Sequence, residues 1–275
     1  MAERIVLVTG GSSGFGLGVA QALAARGWSV TATVRDPARA PEALAGVNVA
    51  ALDLADETQI DALAARFARL DCLVNNAGYA LNGPFATYSA AQMRRQMAVN
   101  VIGPALLIQR LLPALAAARG RVINVSSLAG ENGLPMNSLY SASKFALEGL
   151  TEALRRELAP HGVQVAAVEP GGFRTRFLDN LEWGEQAIAP GGVDARWLES
   201  YRRMQARLRA RAGKDPQAVV DAIVALAERP AMPLRTRVGG DARALHALKR
   251  LLPARAFDGV VAALIRRAFR LERRA

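Results

Sequence analysis

Cysteine and histidine are almost missing from this chain: across 275 residues there is one cysteine, Cys72, and two histidines, His161 and His246. A single thiol excludes an internal disulfide, and three such side chains far apart in sequence offer no metal-ligand cluster, so no metal is expected. No uninterrupted apolar stretch approaches the roughly 20 residues of a membrane span. The apolar run from Ile5 to Val8 stops at Thr9 and Gly10, too short for a signal-peptide core. A soluble, cytoplasmic protein in a reducing compartment is the expectation. Lysine is scarce as well, with Lys144, Lys214 and Lys249 alone, so arginine carries the net charge of +11. Clustered cations can displace counterions from nucleic-acid phosphates. The basic stretch YRRMQARLRARAGK (Tyr201 to Lys214) and the tail nevertheless interleave no aromatics for base stacking, and no nucleic-acid partner is expected.

What the chain does have is a 51% hydrophobic composition, ample for a substantial core, and no low-complexity linker or internal repeat. Short Val- and Ile-rich runs alternate with helical patterns. The runs are Ile5–Val8, Val30–Val34, Val47–Leu52, Cys72–Val74, Val122–Val125 and Val163–Val168, with a weaker one at Leu234–Val238. Helix-period apolar residues fall in Val19–Arg26, Ile60–Leu70, Ala90–Ala118, Ser141–Ala159 and Gln217–Glu228. Strands apolar on both faces, each followed by a helix, predict a doubly wound α/β fold: a parallel, Rossmann-type sheet with helices on both sides. One domain spanning 1–275 is expected. The connection from Gly171 to about Lys214 and the tail from Asp241 onward stand outside the alternation.

The first strand runs into TGGSSGFG, Thr9 to Gly16. Gly10, Gly14 and Gly16 allow a tight turn and close approach of a ligand, and the N–H groups of the helix that starts there favour a diphosphate. Val19 stands where the last glycine of the common G-x-G-x-x-G pattern would be, and there is no P-loop lysine. About twenty residues on, Arg35 and Asp36 follow the second strand, where a dinucleotide's adenosine ribose is read. A carboxylate accepts from a free 2′-hydroxyl, whereas an arginine pairs with a 2′-phosphate. Arg35 directly follows Val34, which favours NADP(H) over NAD(H). In YSASK, Tyr140 and Lys144 lie four residues apart, on one helix face. A free phenol titrates near ~10, and a neighbouring cation favours its phenolate, making it a usable acid or base.

TGGSSGFG, NNAG (Asn75 to Gly78), Asn100, INVSS (Ile123 to Ser127), YSASK and EPGGFRT (Glu169 to Thr175), in this order and spacing, resemble the short-chain dehydrogenase/reductase family in its shorter, single-domain branch. NNAGYALNGPF and SKFALEGLTEALRREL look most like the steroid and retinoid dehydrogenases. The resemblance, over about residues 4 to 240, implies an NAD(P)-dependent enzyme acting on CH–OH or C=O groups. Tyr140 would be the proton donor or acceptor. Lys144 would lower its pKa and hold the nicotinamide ribose, Ser127 would hydrogen-bond the substrate oxygen, and Asn100 would anchor a water. Ser126 is the neighbouring alternative to Ser127, and Asn100 could instead satisfy backbone groups at a helix bend. The cofactor would lie against Gly10, Ser12, Ser13, Gly14, Phe15, Gly16, Arg35, Asp53, Leu54, Asn76, Ala77, Gly78, Tyr140, Lys144, Pro170, Gly171, Phe173 and Thr175. Ser13 stands where some NADP-preferring members carry a second basic residue, and Val34 where NAD-preferring members carry an acid.

By the same resemblance residues 171–214 form a lid over the substrate. Phe173, Phe177, Leu178, Leu181, Trp183, Ile188, Trp197, Leu198, Tyr201 and Met204 supply an apolar surface suited to a bulky apolar alcohol, ketone or aldehyde, or to packing the lid onto the body. In the extension of 241–275, Phe257, Val260, Val261, Leu264, Ile265, Ala268 and Phe269 form a helical stripe opposite Arg266, Arg267 and Arg270. Docking on the body or a second subunit is favoured for it over contact with an anionic membrane. A homodimer or homotetramer follows from the resemblance. The alternatives are an NADP(H)-binding redox sensor without turnover and a nucleotide-sugar epimerase or dehydratase.

Overall fold

A computed structural model describes residues 3–173, 175, 177, 181–210 and 215–269. Its strands are β1 (Ile5–Val8), β2 (Ser29–Val34), β3 (Asn48–Ala51), β4 (Cys72–Asn75), β5 (Leu81–Asn82), β6 (Arg121–Val125), β7 (Gln164–Pro170), β8 (Glu182–Trp183) and β9 (Arg235–Val238). Seven of them form one sheet in the order β3-β2-β1-β4-β6-β7-β9, and each neighbouring pair is parallel. Parallel neighbours need crossover helices, and here these are α1 (Gly14–Ala24), α2 (Glu57–Ala64), α3 (Ala90–Met97), α4 (Gly103–Ala118), α5 (Ser138–Glu157), α6 (Val193–Ala210) and α7 (Gln217–Glu228). Two further helices, α8 (Gly240–Leu251) and α9 (Ala254–Phe269), follow the last strand.

Side-chain alternation along each strand divides the core into two layers. Val6 and Val8 pack with Val19 and Leu23 of α1 and Val220 and Ile223 of α7, while Leu7 points to the other face among Ile60, Leu107, Leu111 and Val165. The expected doubly wound, Rossmann-type fold is therefore present. The strand order reverses between β1 and β4, and such a switch point opens a crevice at the carboxyl ends of the strands. Cys72 lies mid-sheet, level with Val6 and Arg121, and burial pushes its thiol up to about 12.

Two helices differ from the periodicity. The helix expected over 60–70 ends at Ala64, because the chain must turn to bring the Leu70 N–H to Ala114 O (3.0 Å) and Asp71 to Ile5 before β4 begins. The helix expected over 90–118 contains a π-helical turn, Ala98–Ile102, between α3 and α4. Ser89 and Gln92 cap its start reciprocally. Taken whole, Ala90–Ala118 is long and apolar enough to cross a membrane, but its Leu107, Leu111 and Leu115 are fully buried in the protein's own core. The lid region contains α6 and a two-stranded sheet in which β8 pairs with β5; Leu178 and Lys214 lie outside the described residues.

Candidate active site

The segments expected to bind the cofactor meet at the carboxyl ends of β1, β2, β4 and β7. Thr9 holds them together: its hydroxyl accepts from the N–H groups of Asn76 and Ala77 (3.0 Å each) and donates to Val74 O. Asn76 Nδ2 donates to Thr9 O (2.9 Å) and Gly10 O (3.2 Å), clamping the glycine turn to the end of β4. Gly10 has φ of +73°, and a Cβ on Gly16 would stand 2.2 Å from Gly10 O, so both places admit glycine alone. Gly10 N–H and Gly11 N–H donate to Thr33 Oγ1 and Thr33 O, fixing the turn to β2.

Helix α1 begins at Gly14 with no side-chain cap from Ser13 and no acidic residue in its first turn. Its leading amides and positive dipole end therefore suit a diphosphate, and the glycine cradle fits a dinucleotide. Phe15 meets Phe173 edge-on at 6.0 Å, and Thr175 lies beside Gly14, bringing the segment after Pro170 and Gly171 over the turn. Arg35, directly after β2, is exposed with no hydrogen bond or ion pair among the described residues, as is Ser12. Asp36 is occupied locally, accepting from Ala38 N–H (3.1 Å) and pairing with Arg39. Asp53 accepts from Ala55 N–H, and Leu54 packs so closely on Gly103 that a Cβ there would be 2.3 Å from Leu54 O.

The expected catalytic residues converge on one end of the crevice. Ser127 caps the short turn after β6, its Oγ accepting from Ala129 N–H (3.1 Å), and it is the neighbouring hydroxyl that draws the buried Tyr140 phenol downward. Lys144, one turn along α5, donates from Nζ to Val125 O (2.8 Å), and Nζ stands 5.8 Å from the Tyr140 ring centre. Ser126 Oγ is buried without a hydrogen-bond partner among the described residues, and Ser127 is the serine whose hydroxyl acts on the phenol. Asn100 sits in the π-helical turn. Its Nδ2 donates to Tyr79 O (2.9 Å) and Ser143 Oγ (3.0 Å), and its Oδ1 accepts from Tyr79 N–H. Gly78 lies between, where a Cβ would be 3.1 Å from Asn100 Oδ1 and 3.8 Å from Lys144 Nζ.

Electrostatics in the protein alone differ from the expectation that Lys144 brings the phenol down. Burial pushes Tyr140 up to about 12, against a smaller downward pull from the Ser127 hydroxyl. Burial pulls Lys144 down to about 8, opposed by Glu148. A phenol 8% exposed loses more from desolvation of its anion than it regains from its neighbours.

The lid's apolar residues divide between two clusters. Phe177 and Leu181 join Leu134, Ala80 and Ala129 around Tyr140, with the Phe177 ring 5.8 Å from that of Tyr140. Trp183, Trp197, Tyr201 and Met204 pack instead with Met136 and with Ile265 of α9. The tail therefore docks on the body through Ile265; Arg270 lies outside the described residues. Helix α8 is held by Asp241, which accepts from Gly172 N–H (2.7 Å), and by His246, 2.7 Å from Glu131.

Thr9, Ser143, Glu169 and Asp241 support the site without having been singled out. Glu169, 1% exposed on β7, pairs with Arg237 (2.9 Å) and Arg235 (3.4 Å). Burial, then Glu148 and Glu131, raise its carboxyl from 4.5 to about 7. A raised folded value means the folded chain holds a proton the unfolded chain has lost, so this contribution to stability is complete below pH 4.5 and disappears as pH rises through about 7. Glu169→Gln should therefore show a smaller fall in Tm between pH 5 and 8 than the unaltered chain, and equal falls would refute the assignment.

Comparison with known proteins agrees with this geometry. Residues 4–186 match the short chain dehydrogenase family. The 3-ketodihydrosphingosine reductase of Bacteroides thetaiotaomicron is 34% identical over 246 residues, 87% of this chain and 89% of that one. Human retinol dehydrogenase 8 is 36% identical over 251 residues, 85% of this chain and 81% of that one. A metagenomic short-chain oxidoreductase solved in complex with NADP superposes with a TM-score of 0.65 at 31% identity, covering 86% of this chain and 96% of its own. With a nucleotide cradle and a hydroxyl-bearing pair meeting at the switch point of a parallel sheet, the chain belongs to the short-chain dehydrogenase/reductase family of NAD(P)-dependent oxidoreductases.

Proposed function

We propose that this protein transfers a hydride between NADP(H) and a bulky apolar ketone, aldehyde or alcohol, with Tyr140 as the proton donor in reduction and the acceptor in oxidation. The observation that carries the reading is the buried Tyr140 phenol, with Ser127 as the hydroxyl that pulls against its upward shift and Phe177, Leu181 and Leu134 walling it. When bound, the nicotinamide cofactor supplies or takes the hydride. The chain's own residues manage the oxygen. Ser127 orients the carbonyl by hydrogen bonding, and the phenol gives its proton as negative charge develops there. With its pKa pushed up to about 12, Tyr140 is protonated at neutral pH, the form that reduction consumes. Lys144 places a positive charge beside the phenolate left behind.

The apolar wall favours a substrate with a large hydrocarbon part. Two relatives fit this: one is named for a ketone substrate and the other for an alcohol. Preference for NADP(H) is supported by an unengaged Arg35 at the end of β2, by Asp36 being tied into its own turn, and by the NADP bound to a structural neighbour.

The test follows NADPH and NADH absorbance with a panel of bulky ketones and aldehydes. Consumption of NADPH exceeding that of NADH is expected, and Arg35→Asp should erode this preference by roughly 10- to 100-fold through loss of charge-assisted bonds to the 2′-phosphate. NADPH that binds but is never consumed would replace this reading with that of a redox sensor.

A further inference from the structure

Behind the catalytic helix lies an array of buried charges that the proposed reaction does not by itself require. Lys144, Glu148 and Glu152 follow one another at four-residue spacing on α5, which puts them on one face. Lys144 and Glu148 are each only 5% exposed. Glu148 Oε2 accepts from Arg235 Nε (2.8 Å), and Arg235 Nη2 reaches Glu152 Oε2 (2.9 Å). Glu169 from β7 lies against Arg235 and Arg237, and Arg237 passes on to Glu131 (2.5 Å) in the turn after β6. His246 and Lys249 of α8 close the array on Glu131.

Within it Glu148 has a particular place. Its Oε1, like that of Glu169, is buried without a hydrogen-bond partner among the described residues, but Glu148 alone of the two stands on the helix of Lys144. Its Cγ packs under the Ser127 turn, so that a Cβ on Gly130 would be 3.0 Å from it and 2.7 Å from Ser126 Oγ. Lys144 Nζ meanwhile donates to a neutral carbonyl, Val125 O. A buried ammonium with only a carbonyl acceptor tends to lose its proton, and a carboxylate one helical turn away opposes that.

We propose that Glu148 is a positioning residue that acts through Lys144: its buried carboxylate, oriented by Arg235, keeps the lysine charged at neutral pH beside the reacting tyrosine. The proposal rests on the reading of Lys144 as the cation of that site. Burial pulls Lys144 down to about 8, and Glu148 is the charge that pushes it back up. The other charged groups of the array are engaged among themselves. Glu152 is shared between Arg235 and Arg156, Glu131 lies between Arg237 and His246, Lys249 is on the Glu131 carbonyl, and Glu169 faces both arginines and gains its charge only as pH passes about 7. Without Glu148 the buried ammonium would face no carboxylate of its own.

The scarcity of lysine makes the test direct. A chain labelled with carbon-13 at the lysine ε-carbon gives signals only from Lys144, Lys214 and Lys249, and Lys214→Arg and Lys249→Arg assign them. The Lys144 titration midpoint should drop by roughly one pH unit or more in Glu148→Gln. It should stay in place in Glu152→Gln, which also removes a partner of Arg235 but lies a turn further from the lysine. The alkaline limit of the pH profile of kcat should move down with the midpoint. An unmoved midpoint in Glu148→Gln overturns the proposal, even if activity or Tm falls. Should that variant not fold, Glu148→Gln combined with Arg235→Met removes the carboxylate and its buried partner together; a smaller drop in the same direction is expected, and an unmoved or raised midpoint overturns the proposal. A chain inactive on every carbonyl would refute the proposed reaction, but the lysine titration would still decide the role of Glu148.

Discussion

Tyr140→Phe is expected to lower turnover by about 10²- to 10⁴-fold, the range over which a positioned acid or base contributes, while leaving NADPH affinity nearly unchanged. The substitution removes one oxygen and retains the ring. Its contacts with Phe177 and with the wall of Ala80, Ala129 and Leu134 survive, so the pocket keeps its shape. Ser127 keeps its bond from Ala129 N–H and loses only the phenol. Stability should change little, because a buried hydroxyl exchanges one hydrogen bond against its own desolvation. The loss should therefore fall on kcat, which marks an interaction made in the transition state. Turnover equal to that of the unaltered chain would remove Tyr140 from proton transfer.

Gly16→Ala is expected to weaken NADPH binding by about 100-fold, on the scale at which a misplacement of about 1 Å is felt. The new methyl would stand 2.2 Å from Gly10 O and 2.4 Å from Asn76 Nδ2. Neither can step aside. Gly10 is held by its N–H bond to Thr33 and by its left-handed backbone, and Asn76 Nδ2 is the clamp that donates to Thr9 O and Gly10 O. The turn must open, moving the first amides of α1 away from the diphosphate they would hold. Fluorescence titration with NADPH measures the change, and unaltered affinity would show that the cofactor does not use this turn.

Much of this architecture was readable because local patterns carried it. Strands such as Cys72–Asn75 and Gln164–Pro170 are buried on both faces, so unbroken apolar runs betrayed them, with the starts and ends set by backbone pairing. The glycine turn and the Tyr140 and Lys144 pair were legible for a similar reason, since each depends on residues within one or two turns of chain. The π-helical turn at Ala98–Ile102 was not, because one added residue leaves the apolar spacing of 90–118 nearly intact. Nor could the pairing of Leu81–Asn82 with Glu182–Trp183 be foreseen, since two residues show no period and their partner is a hundred positions away. The charge array escaped for the same reason. Glu131, Glu148, Glu169, Arg235 and His246 come from distant parts of the chain, and only the folding of α5, β7, β9 and α8 against one another brings them together. Burial likewise reversed the expected direction for Tyr140, a long-range effect that neighbouring letters do not encode.

The seclusion of Cys72 at the middle of the sheet has a practical use. A thiol pushed up to about 12 and sealed from solvent will ignore maleimide dyes, so the native chain is effectively blank to sulfhydryl chemistry. A cysteine introduced at outward-facing Leu264 would then be the sole reactive handle. A fluorophore attached there would report directly whether the terminal helix stays seated while substrates pass.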